Sequence, residues 1–174
     1  MTPKVVARTG LDFSVAEKVL SRAGAKLVPA PLWSEEELIQ HAADADAAIV
    51  AATEPYTPRV IRALGKCKIL SRMGIGYNNI HVEEATRQGI PVAVVLDASV
   101  HEVSDQAMAF LLAFSRRLVP LAQAVRNGVW KPGSAEIVKA RGKMYRLNEQ
   151  TLGLVGVGRI GGRMPAKARA FGMR

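Results

Sequence analysis

Two glycine-rich stretches hold the residues whose types and spacing could do chemistry. The first is Gly156-x-Gly158-x-x-Gly161, which follows the apolar run 151–155 and precedes an Ala/Arg/Lys-rich segment. A strand aimed through a tight turn at a helix N-terminus offers unpaired N–H groups and a partial positive charge, which suit a pyrophosphate. Gly156 permits the turn, Gly158 lets backbone approach the phosphates, and Gly161 lets helix and strand pack closely. The chain has 15 glycines, so the flanking strand and helix give the motif its weight. An acidic residue about 20 positions further on should hold the adenosine ribose. Counted from Gly156, that position falls just past Arg174. The motif is therefore expected to open a nucleotide-binding unit that these 174 residues do not finish.

The second stretch is Arg72-Met73-Gly74-Ile75-Gly76-Tyr77-Asn78-Asn79. Two glycines and two asparagines after a strand allow unusual backbone angles and expose N–H groups. Exposed N–H groups suit a carboxylate or a phosphate. An ordinary strand-to-helix turn that needs glycine for steric reasons fits the same residues. Location at a strand's carboxyl end favours function.

The elements that must position these turns alternate along the first hundred residues. Strands are expected near 4–8, 25–28, 47–51, 68–71 and 91–95. Between them, Ser14-x-x-Glu17 and Ser34-x-x-Glu37 read as capping boxes, Thr57-Pro58 as a helix start, and 82–88 as a short helix closed by Gly89. Strands separated by helices imply parallel pairing through right-handed crossovers, hence a doubly wound, flavodoxin-like sheet. Ligands of such sheets bind at the strands' carboxyl ends. Ser99-x-x-Glu102 then opens a helix with apolar residues at 3–4 spacing up to about Asn127. A single helix of that span would be about 40 Å long, with a kink at Pro120. It is expected to bridge two domains or to form an oligomer interface. Residues 131–148 read as a mobile basic loop, and 151–155 as a strand. Pro165 is expected to cost the following helix a hydrogen bond to Gly161.

Composition limits the partners. Net charge is +9, but the basic residues are scattered, aromatics are 5% and no nucleic-acid module is present, so nucleic acid is not expected. Basic residues of the loop (Lys139, Arg141, Lys143, Arg146) read as a solvated face rather than an anion site. No run approaches the roughly 18 apolar residues of a membrane span, and no signal peptide's apolar region opens the chain, so a cytoplasmic protein is expected. Cys67 stands alone, which excludes a disulfide framework and a Cys-based metal site. His41, His81 and His101 lack an evident orienting partner and read as structural or solvent-facing.

Taken together, these motifs with Ala85-Thr86-Arg87-Gln88-Gly89-Ile90-Pro91-Val92, Glu102-Val103-Ser104-Asp105, Gly128-Val129-Trp130 and Ala170-Phe171-Gly172-Met173 resemble the D-isomer-specific 2-hydroxyacid dehydrogenases. The branch is similar to C-terminal-binding-protein-like and phosphoglycerate-dehydrogenase-like members. The likeness covers nearly the whole chain, but only about the first half of such an enzyme.

The resemblance implies a substrate domain over 1–98 and the truncated start of a Rossmann NAD-binding domain over 99–174. It places residues 72–79 in an interdomain cleft. Arg72, Gly74, Ile75 and Gly76 would then bind the substrate carboxylate, Ile75 also touching the cofactor. Gly156, Gly158, Arg159, Ile160 and Gly161 would cradle the pyrophosphate of NAD, with NADP not excluded. The long helix would lie in a homodimer interface. Substrates would be small 2-hydroxy or 2-oxo acids. The catalytic Arg, Glu and His of such enzymes would lie beyond the glycine motif, so no catalytic residue and no metal ligand is assigned here. Three positions depart from the pattern: Asn78 stands where Asp is usual, Ala107 where some members carry Thr, and Pro165 where a helix former is expected. The alternatives are a non-catalytic, dinucleotide-sensing corepressor-like module and an inactive truncated product.

Overall fold

The computed structural model describes residues 1–129, 131 and 133–174; Trp130, part of one motif above, and Pro132 lie outside the described residues. The chain forms two compact units, Met1–Ala98 and Ser99–Arg174.

The first unit alternates β1 (Lys4–Arg8), α1 (Ser14–Arg22), β2 (Lys26–Ala30), α2 (Glu35–Ala42), β3 (Ala47–Val50), α3 (Pro58–Ala63), β4 (Leu70–Arg72), α4 (Val82–Arg87) and β5 (Val92–Val94). The sheet order is β2-β1-β3-β4-β5, and every pair is parallel. That is the flavodoxin-like order. Side-chain alternation divides the strands between two faces. Val6, Ala48 and Leu70 share one row across three strands and are fully or almost fully buried. They pack with Leu38 and Ala42 of α2, Val60 and Ile61 of α3, and Ala85 of α4. Val5, Ala7 and Leu27 point to the other face, where Phe13 and Leu20 cover them.

Local chemistry sets the helix starts. Glu37 N–H donates to Ser34 Oγ at 3.2 Å, and Ser34 N–H donates to Glu37 Oε2 at 3.0 Å, completing the box at α2. Thr57 caps α3, with Pro58 in its first turn. The expected box at Ser14 does not form. Phe13 is the N-cap, and Asp12 Oδ1 accepts the Ser14 N–H at 2.9 Å, so Ser14 is already helical.

The second unit departs further from expectation. Instead of one long helix there are two, α5 (Val100–Ser115) and α6 (Leu118–Arg126), bent by 65°. Pro120 has no N–H for the Arg116 carbonyl, and its ring would clash there. The chain ends α5 first, passes through Arg117 at φ +55°, and places Pro120 in the first turn of α6, where no donor is needed. Among the described residues no single helix is long and apolar enough to cross a membrane.

The basic segment is not a loop throughout. It contains α7 (Ala135–Arg141), whose N–H at Ile137 donates to Ser134 Oγ at 3.3 Å. Glu136 sits in its first turn and Lys139 and Arg141 in its last, as the helix dipole favours. Residues 151–155 form no strand either. Among the described residues their one rung is made with Arg174, which donates its N–H to Gln150 O and accepts from Leu152 N–H. Val155 is fully exposed.

A buried acid ties two helices of the first unit. Glu84 accepts from Gln88, Arg87 and Arg62. The Gln88 hydrogen bond, with Arg87 and Arg62 and against partial desolvation, holds its carboxyl below the ordinary 4.5. A depressed folded value stabilises above the unfolded pKa and is lost as pH falls through the folded one. E84Q should therefore be less stable than the parent chain at neutral pH. Urea unfolding at a series of pH values should show the gap closing only below about 4.5.

Candidate functional site

The turn after β4 lies on the carboxyl edge of the first unit's sheet. Val50 and Arg72 are register partners, and Met73 N–H donates to Val50 O at 2.9 Å. The chain then reverses tightly: Gly74 N–H donates to Arg72 O at 2.8 Å, with Gly74 at φ +147°. A Cβ at Gly74 would lie 3.0 Å from Arg72 Nη1, so glycine leaves room for the guanidinium to fold over the turn. Arg72 Nε is buried without a hydrogen-bond partner. Among the described residues, the Ile75 and Gly76 N–H groups donate to no protein acceptor. An open recess of about 380 Å³ is lined by Ala52, Arg72, Gly76, Asn78 and Asn79. One guanidinium and unsatisfied N–H groups around a recess of that size suit a small carboxylate.

The loop that brings Ala52 to this recess is held by residues that, Asn79 apart, sequence patterns did not single out. Glu54, fully buried, accepts from Arg8 Nε at 3.1 Å, Ala51 N–H at 3.3 Å and Thr53 N–H at 3.1 Å. Arg8 in turn stacks on Trp33, 3.9 Å from the ring centroid. Asn79 donates its side-chain N–H groups to Ala51 O (3.1 Å) and Glu54 O (2.9 Å), and its carbonyl accepts from Tyr56 N–H. The only signal in the sequence was an acidic residue just after a buried strand, which turns often contain.

The glycine motif lies in the second unit. Gly156 adopts φ +92°. A Cβ on Gly161 would fall 2.4 Å from Gly156 O, whereas one on Gly158 would meet nothing within 4 Å. The Gly158 and Ile160 N–H groups donate to no protein acceptor among the described residues. Gly162 N–H donates to Gly158 O at 2.8 Å, and a 3-10 turn covers Gly161–Arg163 before α8 (Met164–Ala170) begins. Pro165 thus falls in the first turn of α8. The expected loss of a hydrogen bond to Gly161 does not arise, because the 3-10 turn has already moved the helix start. Lys167 fixes α8 to α5: it donates to Ser104 Oγ at 2.6 Å and His101 O at 3.3 Å, and pairs with Asp105.

The three histidines take other tasks. His81 Nδ1 accepts the Glu84 N–H and caps α4, while the His41 and His101 carbonyls accept from lysines. Among the described residues no group of three or more His, Cys, Asp or Glu side chains could hold a metal ion.

A parallel doubly wound unit, followed by a close-packed glycine turn opening a helix, makes this an α/β protein. The family can be stated: residues 14–158 match the catalytic domain of D-isomer specific 2-hydroxyacid dehydrogenases, and the chain belongs to that family. It is similar to a glyoxylate reductase of Korarchaeum cryptofilum, 35% identical over 149 residues, covering 82% of this chain and 44% of that protein. It is also similar to a D-3-phosphoglycerate dehydrogenase of Methanocaldococcus jannaschii, 35% identical, covering 91% of this chain and 29% of that protein. A solved protein from Thermus thermophilus superposes with a TM-score of 0.87 at 28% identity, over 98% of this chain and 54% of that one. The chain thus spans less than half the length of these two curated relatives.

The 2.4 Å approach gives a direct test of the glycine turn. Backbone cannot retreat as a flexible side chain can, so G161A should destabilise the second unit by about 1–3 kcal/mol. Amide hydrogen exchange resolved by residue should show the loss in 156–174 and unchanged protection in β1 and β3.

Proposed function

We propose that residues 1–98 are the substrate unit and 99–174 the opening of the nucleotide unit of an NAD(P)-dependent oxidoreductase acting on small 2-hydroxy or 2-oxo acids. The observation that supports this is the difference within the glycine turn: Gly161 has no room for a Cβ, while a Cβ on Gly158 would meet nothing within 4 Å, as a turn that leaves room for a phosphate requires. In this proposal the Gly158, Arg159 and Ile160 backbone faces the pyrophosphate of NAD, or of NADP. The dinucleotide, when bound, would supply or accept the hydride exchanged with C2 of the acid. The chain's own residues hold the acid. Ile75 and Gly76 N–H groups take its carboxylate, Gly74 lets Arg72 fold close, and Arg72 supplies the positive charge. Ile75, 40% exposed, offers an apolar contact to the cofactor.

The catalytic Arg, Glu and His implied by the sequence resemblance have no counterpart in residues 1–174 in this proposal. We also place the protein in the cytoplasm as a homodimer through α5 and α6, where Phe110, Phe114, Leu118 and Val119 are exposed.

Calorimetric titration of the 174-residue chain with NADH tests the cofactor assignment. The parent chain should bind. G158A should keep the parent's thermal transition and bind at least tenfold more weakly, because the added methyl enters the phosphate space. Equal binding by a folded G158A rules the assignment out. The same chain should oxidise no NADH in the presence of glyoxylate, and measurable turnover would show that residues 1–174 hold a complete catalytic set.

A further inference from the structure

Glu54 is a buried carboxyl side chain, bonded to Arg8, for which the proposed reaction has no use, yet its bonds converge on the loop that lines the substrate recess. The two carboxylate oxygens straddle one residue. Oε1 accepts the Ala51 N–H and Oε2 the Thr53 N–H, so Ala52 is held between them as if in a clasp. Ala52 is exposed, whereas Ala51 and Glu54 on either side are buried. Ala52 is also the residue that this loop contributes to the recess beside Arg72, Gly76, Asn78 and Asn79. The same loop is fastened to the far wall, since Asn79 donates to the carbonyls of Ala51 and Glu54.

We propose that Glu54 is a positioning residue for substrate: it sets the place of Ala52 and Asn79 opposite Arg72 and so fixes the width of the carboxylate recess. This rests on the assignment of residues 72–79 as the acid-binding turn. A carboxylate is required because three donors point at one place, two of them backbone N–H groups that cannot be redirected. Burial of that charge is compensated by Arg8, held flat by Trp33 and donating Nε to Oε1. Glutamine in the same place keeps the volume but turns an NH2 group toward either Arg8 and Ala51 or Thr53. One arm of the clasp must then open, because donor faces donor.

The test uses the 15N-labelled 174-residue chain titrated with glyoxylate, following the amide resonances of Ala52, Ile75 and Gly76. In the parent chain the three should shift together along one saturation curve. In E54Q the dissociation constant should rise about tenfold, and exchange at the Ala51 and Thr53 amides should quicken while Val6 and Ala48 stay protected. A Glu54 with a structural role alone would lower the melting temperature and leave glyoxylate affinity where it was; that result in a folded E54Q overturns the proposal. If E54Q does not fold, E54D carries the test under the same criteria, since it keeps the charge but is one methylene too short to reach both N–H groups. Absence of any shift at Ile75 and Gly76 in the parent chain removes the acid-binding turn itself, and the role of Glu54 with it. Unchanged affinity in the variant, with binding in the parent, removes Glu54 alone.

Discussion

Parallel pairing of β1 to β5 is the constraint from which the first unit follows. Each strand must be re-entered from the same end, so the chain crosses over a face between strands and helices bury both sides. All five strands then finish on one edge. Register brings Arg8 of β1 level with Ala30 of β2, and Val50 of β3 level with Arg72 of β4. Two arginines thus arrive at the same edge on the same face of the sheet. Their charges are handled differently. Arg8 is paired with Glu54 and stacked on Trp33. Arg72 has no carboxylate partner among the described residues, and its Nε makes no hydrogen bond. The edge therefore keeps one uncompensated positive charge, placed where the Ile75 and Gly76 N–H groups also lack acceptors.

The second unit shows what the same constraint does when pairing is scant. Residues 151–155 have an apolar strand-like sequence, but a strand exists only through its ladder. One rung, between Arg174 and the Gln150 and Leu152 backbone, is made. Beyond it Val155 and Val157 are exposed. In this unit Val100 and Met108 of α5 and Met164 and Ala168 of α8 are buried, and Lys167 ties α8 to Ser104 and Asp105 of α5. These contacts fasten the helix that follows the glycine turn.

Legibility in the sequence followed the range of the interactions concerned. Ser34-x-x-Glu37 and Thr57-Pro58 were legible because each cap closes within four residues. The five strands were legible because buried parallel strands are short apolar runs between helix signals. Ser14-x-x-Glu17 had the same spacing as Ser34-x-x-Glu37 and failed because Asp12 took the Ser14 amide first. Pro120 is visible as a helix breaker, but the break comes one turn before it, at the carbonyl the proline would have overlapped. At the site, Arg72 and its glycines could be found because they are contiguous. Glu54 could not, because its side-chain partners lie 46 residues away at Arg8 and 25 residues away at Asn79, and its local bonds are to backbone N–H groups that any sequence offers. Neither separation leaves a local pattern.

The three motif glycines show why spacing alone is a weak signal and geometry a stronger one. The fold demands glycine at two of them, each for a different physical reason, and makes no demand at the third. Gly156 needs a positive φ that other residues rarely adopt. Gly161 needs the absence of a Cβ because the Gly156 carbonyl occupies that space. Neither requirement would change if nothing ever bound. Gly158 has an ordinary φ and an empty surround, so the fold gives no cause for glycine there. Gly158, between two glycines that the fold does require, is therefore the member of the motif whose replacement tests a ligand rather than the fold.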